Sequence, residues 1–384
     1  MKSKLYTEDH EAFREMVREF IAREVTPHQE RWEQERLMDR QLWTAAGKQG
    51  LLGIAVPAEF GGGGESDFRY RAVVMEELAD VGAASVSLSL SLQDDIALPY
   101  LLDLATGEQK RRWLPGVCSG EIVTAIAMTE PGAGSDLQGI RATAVKDGDD
   151  YLVSGAKTFI TNGIHSDLVI VLARTDPAAG AKGMSLFVIE RGMPGFTRGR
   201  KLNKVGLHAQ DTAELFFDEV RVPAANLLGT PGRGFVHLME RLPRERMAIA
   251  VVAQAAAEAA LRWTLAYCAE RTAFGKPIAD LQSTRFTLAE LATETEVTRA
   301  YLDRVIGDFN DGTLSAVDAA KAKWWATELQ NRVVNRCVQL HGGYGYMLEY
   351  PIARAFVDAR IQTIYGGTTE IMKEIIGRDL TSNG

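Results

Sequence analysis

Residues 364–371 contain the first arrangement that could support chemistry, the pair Gly366-Gly367 followed by Thr368 and Glu370. A glycine pair lets the backbone turn freely and leaves no side chain over the N–H groups that follow. Thr368 is suited to cap a helix that carries Glu370 in its first turn, and free N–H groups there can hold a developing oxyanion. The segment lacks a base beside the glycines, so a proton acceptor must come from elsewhere in the chain. The alternative is an ordinary turn before the last helix.

Two further segments could contact a polar ligand. Residues 127–136 combine hydroxyls, two glycines and free N–H groups in a loop that ends a β-type run. The loop lacks the third glycine and the following helix of a dinucleotide-binding fingerprint, and a plain Gly-Pro turn is an equal alternative. Residues 159–163 place Phe159 and Thr161 at a strand end, where most aromatic residues belong to the core.

Composition and charge narrow the possible function classes. The 384 residues carry a formal net charge of −8, and the arginines alternate with acidic residues, so nucleic acid is not expected as a partner. No apolar run is long enough for a membrane span and no signal or transit peptide is recognised, which predicts a cytoplasmic protein without membrane insertion. The three cysteines and six histidines lack ligand spacing, so no metal site is expected.

The spacing of apolar residues predicts the elements that must position these segments. Helical spacing covers 13–25, 42–52, 70–78 and 107–114, and Pro115 is expected to end the last of these helices. Short β-type runs without intervening helices follow at 122–127, 151–153, 168–172, 185–189 and 215–217, which indicates an antiparallel barrel or sandwich. Long helices at 243–271, 282–311 and 315–341, with a short one from Thr368, indicate a bundle. The predicted class is α+β multidomain, with an N-terminal all-α domain (1–120), a middle β-domain (121–232) and a C-terminal four-helix bundle (233–384).

Five segments in order resemble the acyl-CoA dehydrogenase family. They are residues 127–136, 159–163, 271–277, 339–343 and 365–371. Residues 201–217 and 370–374 are most similar to the long-chain branch of that family. The resemblance covers essentially the whole chain and implies an acyl-CoA substrate, bound FAD and a homotetramer built from two dimers, with sites shared between chains.

The resemblance assigns cofactor-binding positions residue by residue. Thr129 would face the pyrimidine edge of the flavin, Thr161 would hydrogen-bond flavin N5, and Phe159 stands where many members have tryptophan. Ser135 would contact both FAD and acyl-CoA. Arg271, Phe274 and Gln282 resemble residues that reach the FAD of the neighbouring subunit. The remaining cofactor positions are Ala127, Met128, Gly134 and Ile160 on the flavin side, Gln339, Gly342 and Gly343 at the adenosine end, and Thr368 and Glu370.

The same resemblance locates a candidate for the missing base. Many members carry a catalytic glutamate at the position that Gly366 occupies here, whereas long-chain and isovaleryl-type members carry it at the start of the first long bundle helix, where Glu245 falls. From composition alone, a glutamate after Pro243 is what any helix start favours. The vacancy at Gly366 favours the catalytic role. Arg246 is expected to oppose the upward pKa shift that burial would give Glu245.

The sequence thus predicts FAD-dependent α,β-dehydrogenation of an acyl-CoA thioester to trans-2-enoyl-CoA, as in β-oxidation. Glu245 would remove the α-proton, while one backbone N–H of the Gly366 turn and a flavin ribityl hydroxyl would hold the thioester carbonyl. The absent side chain at Gly366 leaves room that suits long or branched chains, and residues 87–92 would line the acyl pocket. The expected substrate contacts are Ser135, Val236, Arg246, Gly366 and Gly367.

The resemblance points to an electron-transferring flavoprotein as the electron acceptor. Relatives with the same fold use oxygen, so a flavin oxidase or monooxygenase is the alternative enzyme. A catalytically silent binding or assembly protein is the alternative outside enzymes. Glu245, Arg246 and the FAD segments argue against that last possibility.

Overall fold

The N-terminal part of the chain is helical, as predicted, in a computed structural model that describes residues 5–382. Its helices are α1 (Glu8–Glu24), α2 (Gln29–Glu35), α3 (Gln41–Lys48), α4 (Phe68–Asp80), α5 (Ala84–Ser91), α6 (Leu98–Leu104) and α7 (Gly107–Ser119). The prediction that Pro115 ends α7 is wrong, because the helix continues through it. A proline inside a helix removes one backbone hydrogen bond, and burial of Trp113, Leu114 and Val117 on the same helix offsets that loss.

A π-helical segment, Leu92–Ala97, joins α5 to α6. The wider turn places Asp95 inside the core, where Arg71 donates two hydrogen bonds of 2.9 Å to its carboxylate. Asp94 beside it accepts a hydrogen bond of 2.7 Å from the Gly53 amide. Leu92 and Ile96 of the same segment line the main cavity described below. Such π-helical turns occur frequently at functional sites, and here the turn separates a buried ionic face from a cavity-facing apolar one.

The middle part of the chain forms one mixed sheet. Its strands are β1 (Thr124–Ala127), β2 (Thr143–Asp147), β3 (Asp150–Thr161), β4 (Leu168–Arg174), β5 (Met184–Glu190), β6 (Phe196–Lys201), β7 (Thr212–Pro223) and β8 (Leu227–Leu228). They lie in the order β6-β7-β3-β2-β4-β5-β8, and β1 pairs with β4. The predicted antiparallel pairing holds for most neighbours, but β4 pairs in parallel with β1 and at one position with β2. Both strands β4 and β5 are buried on both faces, which explains their continuous apolar runs.

The C-terminal part is a bundle of long helices. It comprises α8 (Gly234–Glu270), α9 (Gln282–Asn310), α10 (Ala316–His341), α11 (Pro351–Ala359) and α12 (Thr369–Ser382), with a short hairpin of β9 (Thr272–Ala273) and β10 (Lys276–Pro277) after α8. Helix α8 begins nine residues before Pro243, so this proline lies inside the helix. Helix α8 packs along α10 and α9, and α12 packs against α10. The boundaries 1–120, 121–232 and 233–384 stay a proposal for the domain division.

Helix α8 is long and apolar enough to cross a membrane by length and composition alone, which the sequence prediction had not allowed for. Inside the fold, 67% of its most apolar 18-residue window is buried. Ala250, Ala253 and Ala257 let the neighbouring helices approach closely. This is the environment of a core helix in a helical bundle.

Candidate active site

The main cavity lies where the three parts of the chain meet, and its volume is about 380 Å³. One wall comes from the loop after β1 and from the end of β3. A second wall comes from α8, and a third comes from the turn before α12. The predicted site residues that line this cavity are Met128, Thr129, Gly134, Ser135, Phe159, Ile160, Thr161, Glu245, Arg246, Gly366 and Gly367. The structure therefore brings the predicted base, the glycine turn and the predicted flavin-side residues together in one place.

Glu245 carries a buried carboxyl group in the fourth turn of α8. Its side chain opens onto the cavity, while the whole residue is only 4% exposed. The Tyr100 hydroxyl donates a hydrogen bond of 2.8 Å to its Oε1 atom. Burial raises the pKa of Glu245 to about 7, and the hydrogen bond from Tyr100 and the charges of Arg246, Arg241 and Arg244 act in the opposite direction. The predicted opposition between burial and Arg246 is thus present, and burial dominates.

The helix-start explanation for Glu245 does not fit the structure. Helix α8 begins at Gly234, so Glu245 lies in its fourth turn and cannot serve as a first-turn charge. A buried carboxyl group inside a helix needs another reason for its presence. A pKa near 7 in a cavity is the property that a general base requires.

Replacing Tyr100 with phenylalanine tests how the base is tuned. Loss of the hydroxyl removes a donor that favours the charged carboxylate, so the pKa of Glu245 is expected to rise further. The acidic limb of the kcat/KM profile should then move to higher pH by on the order of one pH unit. Tyr301, a bundle tyrosine whose hydroxyl bonds the Asp318 carbonyl, provides a matched Tyr301→Phe control. An unmoved limb in Tyr100→Phe would show that this hydroxyl does not tune the base.

The glycine turn has the backbone geometry that its sequence predicts. Gly366 and Gly367 have φ of 64° and 99°, values in the left-handed region that favours glycine. The Thr368 hydroxyl accepts a hydrogen bond of 3.3 Å from the Ile371 amide, so Thr368 caps α12 as expected.

A backbone amide and the Thr368 hydroxyl lower the pKa of the exposed Glu370, which does not line the cavity.

The open space expected beside Gly366 is partly filled. A Cβ atom added to Gly366 would lie 2.4 Å from Cδ1 of Ile249. Ile249 follows Glu245 by four residues on α8, so both face the same side of the helix. The absent side chain at Gly366 therefore makes room for Ile249 as well as for a substrate. This is a correction to the prediction that the space is simply free.

A buried ion pair supports the loop at residues 127–136. The Lys157 ammonium group donates hydrogen bonds of 2.9 Å to Glu130 Oε1 and of 3.0 Å to the Met128 carbonyl. Glu130 also accepts bonds of 2.6 Å and 3.0 Å from the Arg141 and Ala142 amides. Lys157 is fully buried. The pair ties the predicted flavin loop to β3, and sequence reasoning missed it.

Phe159 and its neighbours form the wall that a flavin ring would need. Phe159 has φ of 60°, and a register shift in the β3–β7 pairing lies between Lys157 and Ile160. This backbone leaves Phe159 68% exposed at the cavity, an uncommon state for a large apolar residue at a strand end. The hydroxyls of Thr129, Ser135 and Thr161 line the same cavity. An apolar ring face beside several hydroxyls fits a planar, polar-edged group such as a flavin.

The residues predicted for the adenosine end lie around a different cavity of about 560 Å³. Arg271, Gln339, Gly342 and Gly343 line it, and the Arg271 guanidinium lies 5.6 Å from the centre of the Tyr344 ring. Phe274 on the adjacent hairpin is 92% exposed, and Gln282 at the start of α9 is also exposed. This cavity and the main one share no lining residue. The two predicted sets of cofactor residues therefore line separate cavities of the chain.

Ala127, Val236 and Thr368, like Glu370, do not line the main cavity although the sequence predicted them at the site. Ala127 is fully buried behind its loop, and Val236 is half-buried and not among the lining residues. The cavity-facing residues of α8 recur at helical spacing and are Phe235, Met239, Leu242, Glu245, Arg246 and Ile249. Helical periodicity counted outward from Glu245 could have found Leu242 and Ile249 and excluded Val236.

The described residues, 5–382, contain no group of three or more histidine, cysteine or acidic side chains that could hold a metal ion. Cys118, Cys268 and Cys337 are buried free thiols, and burial raises the pKa of each. A base, backbone donors and an aromatic wall are thus the chemical groups that the cavity offers.

Comparison with known protein families finds a matching family model for each of the three parts of the chain. The models described as acyl-CoA dehydrogenase N-terminal, middle and C-terminal domain match residues 7–121, 125–220 and 232–381. The chain belongs to the acyl-CoA dehydrogenase family. It is therefore an FAD-dependent oxidoreductase that acts on acyl-CoA thioesters, in agreement with the prediction from sequence.

Individual relatives in this family match nearly the whole chain. The mitochondrial long-chain specific acyl-CoA dehydrogenase of Sus scrofa is 50% identical over 98% of this chain and 87% of the relative. The mitochondrial isovaleryl-CoA dehydrogenase of Solanum tuberosum is 37% identical over 98% of this chain and 92% of the relative. The crystal structure of an acyl-CoA dehydrogenase from Geobacillus kaustophilus superposes with a TM-score of 0.96, at 50% identity over 99% of this chain and 100% of that one. The predicted similarity to the long-chain branch is confirmed.

Proposed function

We propose that this acyl-CoA dehydrogenase converts long-chain or branched acyl-CoA thioesters to trans-2-enoyl-CoA, with Glu245 as the base that removes the α-proton. The observation that carries the proposal is the buried Glu245 carboxyl group, with a pKa of about 7, in one cavity with the glycine turn and the flavin-side wall. A carboxylate of this pKa is partly deprotonated at neutral pH and gains basicity from its burial.

The residues around the cavity have different roles in removal of the α-proton. Glu245 Oε2 would accept the α-proton, because Tyr100 donates its hydrogen bond to Oε1. The backbone donors of the Gly366–Gly367 turn would hold the thioester carbonyl, on which negative charge develops as the α-proton leaves. One such donor stabilises the transition state by about 3 kcal/mol in comparable sites. Arg246, which also lines the cavity, holds the turn through the Gly366 carbonyl at 3.4 Å.

FAD, when bound, accepts the hydride that leaves the β-carbon. The flavin end would be held by residues that line the same cavity as Glu245, namely Met128, Thr129, Gly134, Ser135, Phe159, Ile160 and Thr161. Ser135 would contact the acyl-CoA as well. Gln339, Gly342 and Gly343 would hold the adenosine end. Because these three residues share a separate cavity with Arg271, we propose that each FAD lies between two chains, with its flavin end in the main cavity of one chain and its adenosine end at this cavity of a neighbour within a homotetramer, which also contributes Arg271, Phe274 and Gln282.

The proposed chain length rests on a second cavity behind the first. A narrow, largely apolar space of about 50 Å³ shares Ile96, Ile249 and Tyr365 with the main cavity. Ser87 and Leu88 from the predicted stretch 87–92 line it, and Leu92 lines the main cavity. An acyl chain longer than the main cavity would pass Ile249 to reach this space. The Sus scrofa relative, long-chain specific by name, supports the same class of substrate.

An electron-transferring flavoprotein is the proposed acceptor for the reduced cofactor, and the cytoplasm is the proposed location. The relatives reported above are dehydrogenases, which favours this acceptor over the oxygen-dependent alternatives. Glu245 and Arg246 at the cavity likewise argue against a catalytically silent relative.

Anaerobic titration of the flavin absorbance with acyl-CoAs tests the proposal. The holoenzyme is titrated separately with short straight, long straight, branched and aromatic acyl-CoAs. Long or branched thioesters are expected to bleach the flavin, with formation of the trans-2-enoyl-CoA measured in the same samples. Bleaching by short straight chains alone would contradict the proposed substrate class, and no bleaching by any thioester would contradict the function itself.

A further inference from the structure

Lys323 is a fully buried cation on α10 for which the reaction described so far has no role. Its Nζ atom donates a hydrogen bond of 2.7 Å to the Gly367 carbonyl. Burial and the nearby Arg246 guanidinium lower its pKa to about 8, while Glu328 and Glu370 act in the opposite direction. Burying an ammonium group is costly, so a lysine in the core of a bundle calls for a specific reason.

The position of this hydrogen bond provides a reason. Gly366 and Gly367 line the cavity, whereas Lys323 is not among the lining residues and holds the turn from the bundle side. Arg246 donates to the Gly366 carbonyl at 3.4 Å, so cationic side chains hold the carbonyls of both glycines. In a trans peptide the carbonyl and the following N–H point in opposite directions. Fixing these two carbonyls therefore fixes the direction of the Gly367 and Thr368 N–H groups as well.

A glycine pair needs such support more than other turns do. Each glycine can adopt many backbone conformations, and the positive φ values of this turn represent only one of the conformations open to each residue. Donors that stabilise a developing oxyanion must be held in place before the reaction, because small displacements weaken catalysis strongly. A flexible turn without anchors would lose that advantage.

We propose that Lys323 is a positioning residue for the dehydrogenation: its hydrogen bond to the Gly367 carbonyl holds the Gly366–Gly367 turn in the geometry that its backbone donors need. The inference rests on the proposed function of the same cavity. It concerns Lys323 alone, since Arg246 also lines the cavity and would affect substrate directly.

Two substitutions of Lys323 test the role. Lys323→Met keeps an unbranched side chain one atom shorter and removes the donor, and Lys323→Gln keeps a neutral donor. Lys321→Met is the matched control, because Lys321 lies two residues away on α10 with a side chain that is 44% exposed and paired with Asp318. Each holoenzyme is measured for FAD content, thermal midpoint, kcat and KM, and for exchange of the substrate α-hydrogen in D₂O. Backbone hydrogen exchange of residues 362–372 is followed by mass spectrometry.

We expect Lys323→Met to lower kcat and α-hydrogen exchange by about tenfold to a hundredfold, with normal FAD content and a smaller change in KM. Backbone exchange at residues 362–372 should become about tenfold faster. Lys323→Gln should fall between Lys323→Met and the wild type, and Lys321→Met should match the wild type.

Three results would overturn the inference. The first is a kcat of Lys323→Met within twofold of the wild type. The second is unchanged backbone exchange at the turn. The third is loss of activity in both variants only in proportion to lost FAD or lost folded protein, which indicates a merely structural role. If the wild-type holoenzyme itself exchanges no α-hydrogen with any acyl-CoA, the proposed function fails, which is distinct from failure of the Lys323 role.

Discussion

Replacing Glu245 with glutamine is expected to abolish turnover and, at the same time, to make the protein more stable at alkaline pH. Glutamine has nearly the same shape and can still accept the hydrogen bond from Tyr100, but it cannot take the α-proton. Loss of a general base lowers kcat by about a hundredfold to ten-thousandfold. FAD should stay bound, because the substitution changes none of the residues proposed to hold the flavin end.

The gain in stability follows from the raised pKa of Glu245. The folded protein binds the proton with a pKa of about 7, compared with 4.5 for an ordinary glutamate. Above pH 7 the carboxylate is charged in both states, and its burial then costs about 3 kcal/mol of folding free energy. As the pH falls from 7 towards 4.5, the folded state takes up the proton and this cost disappears. Glu245→Gln should therefore raise the melting temperature at pH 8 and have little effect at pH 5.

The measurement combines single-turnover flavin reduction with melting curves at pH 8 and pH 5, all on FAD-loaded protein. Glu240→Gln is the matched control, because Glu240 lies on the same helix with its side chain 51% exposed. It should leave both the rate and the melting temperature close to those of the wild type. Flavin reduction by Glu245→Gln within tenfold of the wild-type rate would mean that another group is the base. A melting temperature that does not rise at pH 8 would show that the buried carboxyl group carries no such cost.

Much of the fold was predictable because apolar spacing changes along the chain. The helical period in the N-terminal part, the short β-type runs after residue 121 and the long periodic segments after residue 235 correspond to α1–α7, β1–β8 and α8–α12. The errors occurred where tertiary packing overrides local rules. Pro115 and Pro243 both lie inside helices whose burial offsets the lost hydrogen bond. The parallel pairing of β1 with β4 joins distant parts of the chain and has no local signal.

The site was predictable only where a segment has a characteristic sequence. The glycine turn and the loop at residues 127–136 were found because glycines and hydroxyls cluster in sequence. Tyr100, Lys157 and Lys323 were missed because nothing around them in sequence marks them as special, and a lone lysine is normally solvated. Their roles come from contacts with Glu245, Glu130 and Gly367, which are distant in the chain.

The buried pair of Lys157 and Glu130 gives the second prediction with a large expected effect. Lys157→Met removes the cation and leaves the Glu130 carboxylate and the Met128 carbonyl without their shared donor. Burial acts to raise the pKa of Glu130, and the Lys157 ammonium with two backbone amides outweighs it and keeps that pKa below the ordinary value. Breaking such a pair costs about 3 kcal/mol or more of folding free energy.

The loss should fall most heavily on cofactor retention, because the pair joins the loop at residues 127–136 to the strand that carries Phe159. Purified Lys157→Met is expected to melt lower than the wild type and to lose FAD on gel filtration, as measured by absorbance per chain. Lys146→Met, an exposed lysine on the adjacent strand β2, should do neither.

The double variant Lys157→Met/Glu130→Gln separates the charge effect from a packing effect. With both charges removed, no buried carboxylate remains unpaired, so part of the stability and of the FAD content should return. If the double variant is as unstable as the sum of its two single variants, the ion pair contributes no coupling, and the loop is held by backbone hydrogen bonds such as that from the Thr158 amide to the Thr129 carbonyl at 3.0 Å. If Lys157→Met keeps its full FAD content and has the melting temperature of the wild type, the ion pair does not stabilise the loop that lines the flavin site.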